Sequence, residues 1–165
     1  MTGGLERLWA PWRMEYIGSA SSEEEQGCIF CELPAKDDDE ATYILARQEH
    51  SFAILNKFPY NSGHLMVAPF RHVGNLEELK DDESLDMQKL LGRCVQALKE
   101  AMEPNGFNVG MNLGQVAGAG IPDHIHWHVV PRWSGDTNFM PLIGETKVLP
   151  ELLRETYEKM RPGLR

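Results

Sequence analysis

The sequence predicts an α+β fold in which an antiparallel β-sheet is covered by one long helix and accompanied by a C-terminal helix. Three observations support this class. Several short extended runs are separated by turn-forming residues, one long segment has helical periodicity, and histidines alternate with apolar residues between residues 121 and 133. Short runs bounded by Pro, Asn and Gly are typical of antiparallel hairpins, so we expect the runs to pair in that way.

Four extended runs are predicted to form strands. They span residues 41–47, 51–56, 64–69 and 107–113. Turn-forming residues 48–50 and 59–63 separate the first three runs, which predicts hairpins. The acidic run 36–40 that precedes them is interpreted as a solvated loop.

Two helices are predicted. Between Ser84 and Glu103 apolar residues recur at three- and four-residue steps, which is typical of an amphipathic helix. Acidic residues 81–83 favour its N-terminus, and Pro104 ends it. Cys94 lies on the apolar stripe and is interpreted as a core residue. The second helix is predicted over residues 150–160, with three residues aligned on one face: Leu153, Tyr157 and Met160.

The composition is that of an ordinary globular domain. The chain has 165 residues, 42% of them hydrophobic and 25% charged, enough to bury roughly two-thirds of the unfolded surface. No apolar run approaches the roughly 20 residues that span a bilayer, and no signal peptide is visible, so we expect a cytoplasmic protein with no membrane association. The net charge of −9 argues against a nucleic-acid surface but is compatible with a small anionic substrate.

Residues 1–26 are predicted to be an N-terminal aromatic arm and an acidic linker, ahead of a single domain over residues 27–165. Trp9, Trp12 and Tyr16 carry the kind of large rings that anchor interfaces. We interpret the arm as packing on the core or on the second subunit of a homodimer, and direct contact with the substrate is the alternative. The polar segment 19–26 has no core-facing period, which predicts a linker.

The segment from Ile121 to Trp133 is the strongest functional signal. His124, His126 and His128 alternate with apolar residues, and in a strand this spacing puts three imidazoles on one face and the apolar side chains in the core. Ionisable rings are costly to gather without a use. Imidazole can serve as a metal ligand, an acid or base, or a nucleophile. The alternative is a polar edge strand without a function.

The pair Cys28 and Cys31 predicts metal or redox chemistry in a reducing compartment. Strand neighbours on one face lie roughly 6.6–6.8 Å apart, so one zinc would gather all three histidines only with strain. We therefore expect a structural zinc on the two cysteines, His124 and a fourth ligand. His72 is the first candidate for it, and His50 and His64 compete. A reduced pair without metal is the alternative.

A glycine-rich loop leads into the histidine segment. It contains Gly114, Gly118 and Gly120, a spacing that matches neither a P-loop nor a dinucleotide fingerprint. Glycines let backbone amides approach an anion, so Gly118 and Gly120 are candidate phosphate contacts, while a plain flexible loop is the alternative.

Residues 124–130 fit the pattern His-φ-His-φ-His-φ-φ, where φ is apolar, and the chain resembles the histidine triad (HIT) superfamily of nucleotide hydrolases and transferases. The resemblance covers residues 28–136 and also rests on Asn56, Asn112, the segment 63–69, and Pro131 with Arg132. Residues 8–13 and 133–139 look like the bacterial branch that contains diadenosine tetraphosphate phosphorylases. The resemblance implies the HIT fold, an antiparallel sheet carrying the triad with a long helix packed on it.

The resemblance also implies roles for individual residues. His126 would attack an α-phosphorus and become nucleotidylated, and His128 would contact the transferred phosphate or protonate the leaving oxygen. Asn112 would hold a phosphate or sugar oxygen, Asn56 would bind the ribose hydroxyls, and His64 would lie near the base and sugar. The metal ligands implied are Cys28, Cys31, His72 and His124.

The predicted function is cleavage of dinucleoside polyphosphates through a nucleotidyl-histidine intermediate, resolved by water or phosphate. Relatives that transfer nucleotides often have Gln at the third triad position, whereas His128 resembles hydrolases and phosphorylases. Residues 117–123 lack the Ser, Thr or Gln that many relatives place there, so no side chain is assigned to the second acceptor. The alternatives are a nucleoside phosphoramidase and a zinc-stabilised nucleotide-binding module without useful turnover.

Overall fold

A computed structural model describes residues 27–136 and 151–165. The predicted arm and linker over residues 1–26, and the end of the loop after Trp133, lie outside the described residues. The helices are α1 (Ile29–Ala35), α2 (Asp39–Thr42), α3 (Asp81–Met102) and α4 (Leu153–Met160). The strands are β1 (Ile44–Arg47), β2 (Ser51–Leu55), β3 (Leu65–Pro69), β4 (Gly106–Met111) and β5 (Trp127–Arg132). Short 3-10 turns occur at Leu76–Glu78, Gln115–Ala117 and Arg161–Leu164.

The five strands form one antiparallel sheet in the order β1-β2-β3-β5-β4. The first three strands pair as consecutive hairpins, as the turn residues predicted. The strand β5 enters between β3 and β4, and it pairs with both of them. The α+β class and the antiparallel sheet are confirmed.

Alternation along the strands divides the core between the two faces of the sheet. One face packs under α3 and α4, and its strand residues include Ala53, Leu55, Leu65, Val67 and Val129. The other face is covered by α1, and its buried residues are Phe30, Ile44, Phe52, Ile54, Met66 and Ala68. This second, smaller cluster borders the histidines.

The long helix α3 covers the first face with the stripe that the periodicity predicted. Met87, Leu90, Cys94 and Leu98 are all 0–1% exposed, so Cys94 is a core residue. The helix begins at Asp81, three residues earlier than the predicted start. It can do so because the carboxylate of Glu83 turns back to accept a hydrogen bond from the main-chain N–H of Lys80 at 2.9 Å.

The C-terminal helix is shorter than predicted but has the predicted inner face. It begins at Leu153, and Tyr157 and Met160 are 2% and 0% exposed. After it, Leu164 is buried against α3, and its carbonyl accepts a hydrogen bond from Arg93 Nη2 at 2.8 Å. The described residues include no helix long and apolar enough to cross a membrane.

Two further predicted boundaries were wrong, those of the strand 41–47 and of the acidic loop 36–40. The run 41–47 does not begin as a strand, because residues 39–42 form α2. Asp38 Oδ1 accepts a hydrogen bond from the main-chain N–H of Ala41 at 3.0 Å, which caps this turn, and Tyr43 with φ 59° ends it. The acidic residues Asp39 and Glu40 are therefore helical rather than part of a loop.

Candidate functional site

The histidine segment lies against the sheet face opposite α3. In β5, His128 pairs with Met66 of β3 on one side and with Gly110 of β4 on the other. Met66 belongs to the cluster under α1, so His128 faces that side of the sheet. The intervening Ile125 and Val129 are 3% and 0% exposed, which confirms that they are core residues.

The three histidines do not all lie in one strand, contrary to the prediction. The strand begins at Trp127, so of the three only His128 lies in it, while His124 and His126 precede it. The physical reason is a change of partner, because the main-chain N–H of Ile125 donates to the carbonyl of Val73 at 2.7 Å, in the loop after β3. This pairing leaves the ring of His124 beside α1.

The two cysteines and two of the histidines converge in one cluster. The ligand atoms of Cys28, Cys31, His72 and His124 all lie within 4.8 Å of one another. Cys28 Sγ is 3.2 Å from His124 Nδ1, and Cys31 Sγ is 3.4 Å from His72 Nδ1 and 3.6 Å from His124 Nδ1. Tetrahedral zinc, with bonds of about 2.0–2.3 Å, separates its ligand atoms by about 3.3–3.8 Å, so the donor set suits zinc.

Local structure brings these ligands together from distant parts of the chain. Cys28 precedes the first residue of α1, and its carbonyl accepts the N–H groups of Cys31 and Glu32, each at 2.9 Å. This turn presents both sulfurs on one side. His72 follows β3, and His124 precedes the neighbouring strand β5.

His124 is held in the state that a metal requires. It is 0% exposed, and its Nε2–H donates to the carbonyl of Pro69 at 2.8 Å, which leaves the Nδ1 lone pair toward the sulfurs. Burial lowers the pKa of His124 to about 4, although the hydrogen bond to Pro69 opposes this effect. The pKa of the Cys31 thiol is raised, first by burial and then by Cys28.

His126 has the geometry of a nucleophile. Its Nδ1–H donates to the main-chain carbonyl of His124 at 2.8 Å, so the lone pair of the neutral ring is on Nε2. The ring is 5% exposed, and burial lowers its pKa, which keeps it neutral near pH 7. A neutral imidazole with one nitrogen anchored can attack an electrophile with the other.

His128 and His64 form a hydrogen-bonded pair. The main-chain N–H of Tyr60 donates to His64 Nδ1 at 3.0 Å, and His64 Nε2 lies 2.9 Å from His128 Nδ1. Since His64 Nδ1 accepts, the neutral His64 ring carries its proton on Nε2 and donates it to His128. The neutral His128 ring therefore keeps its own proton on Nε2, from which it can donate a hydrogen bond to a phosphate oxygen.

The remaining predicted site residues surround the triad less directly. Asn112 Nδ2 donates to the carbonyl of Gly118 at 3.3 Å, within the exposed glycine loop that also contains Gly120. Met111 pairs with Trp127, so extending this register by one residue would put Asn112 opposite His126.

Asn56 ends the hairpin that leads to His64. Its main-chain N–H donates to the carbonyl of His64 at 2.9 Å, and its side-chain Oδ1 accepts the N–H of Phe58 at 2.9 Å. Contacts of these residues with a substrate stay predictions.

Two aromatic residues at the site were missed by sequence reasoning. Phe30 contacts the rings of His124 and His126, with centroids 5.2 and 4.7 Å apart. Tyr60 stacks on His64 at 4.6 Å and lies 5.8 Å from His128. The position of Phe30 between the two cysteines was a usable signal, because a metal site formed by Cys28 and Cys31 necessarily has Phe30 close to it. Tyr60 offered no such signal.

Comparisons with known proteins identify the family of the chain. The family model described as "HIT domain" matches residues 38–135, more than half of the chain. A curated protein called "AP-4-A phosphorylase" from Mycobacterium tuberculosis is 44% identical over 158 residues, covering 92% of this chain and 80% of the relative.

Solved structures share the fold. A hypothetical histidine triad nucleotide-binding protein from Sulfolobus tokodaii superposes with a TM-score of 0.67 at 26% identity, over 82% of this chain and 91% of the other. A Zn-bound histidine triad family protein from Mycobacterium smegmatis superposes with a TM-score of 0.66 at 24% identity, over 87% and 94% of the two chains. At that identity the second likeness concerns the fold alone.

Proposed function

The chain belongs to the HIT family, a family that includes enzymes acting on nucleotides, and from this premise we propose that it cleaves dinucleoside polyphosphates such as diadenosine tetraphosphate at an α-phosphate. The observation that carries the proposal is His126, a buried neutral imidazole whose Nδ1–H is committed to the His124 carbonyl. The relative named AP-4-A phosphorylase, at 44% identity, supports this choice of substrate class.

The first step is attack by His126 Nε2 on the α-phosphorus. An N–P bond forms and the bond from phosphorus to the bridging oxygen breaks, so diadenosine tetraphosphate would leave ATP and an adenylylated His126. In the second step water or inorganic phosphate breaks the N–P bond and releases AMP or ADP. Dividing one displacement into two is the usual benefit of a covalent intermediate.

The neighbours of His126 are assigned supporting roles. Neutral His128, with its proton on Nε2, donates a hydrogen bond to the transferred phosphate, and in its imidazolium form it would protonate the leaving oxygen and become neutral. Asn112 and the amides of Gly118 and Gly120 hold phosphate oxygens. Asn56 binds the ribose, and His64 lies toward the base and sugar while donating to His128.

A structural zinc is proposed for the Cys28, Cys31, His72 and His124 cluster. The observed separations of the ligand atoms support it. Bound zinc would cross-link α1 to the ends of β3 and β5. It would have no open coordination position for a substrate, since four protein ligands fill its shell. A homodimer and a cytoplasmic location are kept as predictions from the sequence.

The experiment that tests the proposal traps the intermediate. Diadenosine tetraphosphate labelled at the α-phosphorus is mixed with enzyme, and the reaction is quenched in base, where phosphoramidates survive. We expect label on the wild-type protein and on the His50→Ala control, since His50 faces Asp82 at 3.7 Å rather than the triad. His126→Ala should lose both label and turnover, and label together with turnover in this variant would refute the mechanism.

Product analysis separates the related activities. Phosphate-dependent formation of ADP would indicate phosphorolysis, and phosphate-independent AMP plus ATP would indicate hydrolysis. Faster turnover of adenosine phosphoramidate than of diadenosine tetraphosphate would favour the phosphoramidase. Tight nucleotide binding with no label and no product would leave only the binding module.

A further inference from the structure

Phe30 is built into the same turn as the two cysteines of the metal cluster. It lies between Cys28 and Cys31 in the first turn of α1, and it is 1% exposed. Because the Cys28 carbonyl accepts two N–H groups of that turn, the backbone that presents both sulfurs also positions the Phe30 ring. Movement of the cysteines therefore moves Phe30.

The ring of His126 is enclosed between two other rings. Phe30 lies against it at a centroid distance of 4.7 Å and an interplanar angle of 39°. His128 meets it at 4.9 Å and 69°, close to an edge-on contact. With 5% of His126 exposed, its imidazole cannot turn about the Cβ–Cγ bond unless one of these neighbours moves.

The metal cluster reaches His126 through a second contact. His124 offers Nδ1 to the sulfurs, while its main-chain carbonyl accepts the Nδ1–H of His126 at 2.8 Å. Phe30 also contacts the His124 ring at 5.2 Å. Thus Phe30 limits the orientation of the His126 ring. The carbonyl of His124, whose ring Phe30 contacts, determines which nitrogen of His126 carries the proton.

We propose that Phe30 is a positioning residue for His126, through which the Cys28–Cys31 turn holds the nucleophile in one orientation and one tautomer. The inference rests on the proposed function for its consequence in catalysis, but its structural content can be measured without substrate. It assigns the metal cluster an effect on the reactive ring in addition to cross-linking the fold.

The test compares Phe30→Leu and Phe30→Met with Phe52→Leu. Both substitutions remove the aromatic ring and leave side chains of similar volume, but Met is unbranched and flexible and fills a gap differently from Leu. Phe52 is a matched control because it is 0% exposed, belongs to the same cluster and contacts Phe30 at 6.3 Å and Phe70 at 5.2 Å. Zinc content and melting temperature are measured for each protein to establish that it is folded and loaded.

The first readout is long-range ¹H–¹⁵N NMR of the histidine rings at pH 8, with the His126 signals identified by their loss in His126→Ala. We expect the Nδ1–H tautomer alone in wild type and Phe52→Leu. Both Phe30 variants should show a shifted or mixed tautomer. The second readout is the rate of label transfer to the protein, which should fall roughly 10- to 100-fold in the Phe30 variants, with KM changed less than about twofold.

Three results would overturn the inference. One is a wild-type His126 signature in both folded, zinc-loaded Phe30 variants. Another is a rise in KM with an unchanged rate of label transfer, which would make Phe30 a substrate contact. The third is an equal effect of Phe52→Leu, which would make the response one of core packing. If the wild-type protein transfers no label, the proposed function fails, while the NMR comparison still decides the role of Phe30.

Discussion

His128 shows how a side chain acquires its chemical state from neighbours that are distant in sequence. Its tautomer follows from His64, 64 residues earlier, which in turn accepts from the main chain of Tyr60. The resemblance implies that His64 lies near the base and sugar of the substrate. In the structure His64 is 1% exposed and its ring is hydrogen-bonded to His128. Residue type therefore indicates that His64 belongs to the site, and the hydrogen bonds indicate what it contacts there.

The ion pair between Arg71 and Glu83 ties the loop that carries His72 to the long helix. Arg71 donates from Nε and Nη2 to the two carboxylate oxygens of Glu83, each at 2.7 Å, and Nη2 also donates to the carbonyl of Glu78 at 2.8 Å. Glu83 is 5% exposed, and the bond from Arg71 lowers the pKa of its carboxyl from 4.5 to about 2. The pair thus holds the segment next to a metal ligand.

Glu83→Gln should reduce stability in a pH-dependent way. A depressed carboxyl pKa contributes stability that is fully present above the unfolded value of 4.5 and is lost as pH falls through about 2. The difference in unfolding free energy between wild type and variant should therefore be constant from pH 8 to 5 and shrink below pH 4.5. Urea unfolding at several pH values measures it, with the exposed Glu103→Gln as control. A difference independent of pH would contradict the prediction.

At the scale of elements, the turn between β2 and β3 is packed against two partners. Gly63 has φ +77°, and a Cβ there would lie 2.8 Å from Met102 Sδ and 3.0 Å from both Leu98 Cδ2 and Pro131 Cγ. The turn therefore needs a residue without a side chain for two reasons, backbone conformation and space. It delivers His64 to β3, so its position bears directly on the site.

Gly63→Ala should lower the free energy of unfolding by about 2–3 kcal/mol, through the left-handed backbone and the contacts with α3 and β5. Gly92→Ala is the matched control, because Gly92 is exposed within α3 and an added Cβ there would meet no atom within 4 Å. There the same substitution should stabilise by about 0.5–1 kcal/mol. Thermal melts of both variants measure the difference, and equal effects would refute the argument.

At the scale of the whole molecule, the metal cluster joins α1, which is not part of the sheet, to the ends of the paired strands β3 and β5. Cys28 and His124 are separated by 96 residues, and Cys31 and His72 by 41. Phe30 is the residue by which α1 joins the smaller core cluster, so the metal cluster adds a further attachment of this short helix.

Removal of zinc should therefore destabilise the protein. We expect about one equivalent of zinc per chain, and Cys28→Ser or a strong chelator should lower the melting temperature by roughly 10 °C, since structural zinc adds directly to folding free energy. Cys94→Ala, at a core cysteine outside the cluster, should keep its zinc. Elemental analysis and thermal melts measure both effects. Less than about a tenth of an equivalent in protein purified without chelator would reject the zinc site.

The sequence by itself determined the fold class, the long helix with its buried stripe, the hairpins, and the chemical classes of residue at the site. These follow from hydrophobic periodicity, turn residues and side-chain chemistry, which are local properties of the chain. The boundary errors at Ala41 and His124 have a common reason. In both places a hydrogen bond to a side chain or to a distant main-chain group replaced the expected strand pairing.

Residue spacing did not decide how the histidines are divided. The family resemblance implied a division, and the tertiary structure gives the physical reason for it. Residue spacing left His50, His64 and His72 as candidates for the fourth ligand, whereas the fold brings His72 to Cys31 and His64 to His128. It also enclosed His126 against Phe30. These choices depend on strand order and register, which bring together residues 41 to 96 positions apart, and no local pattern carries that information.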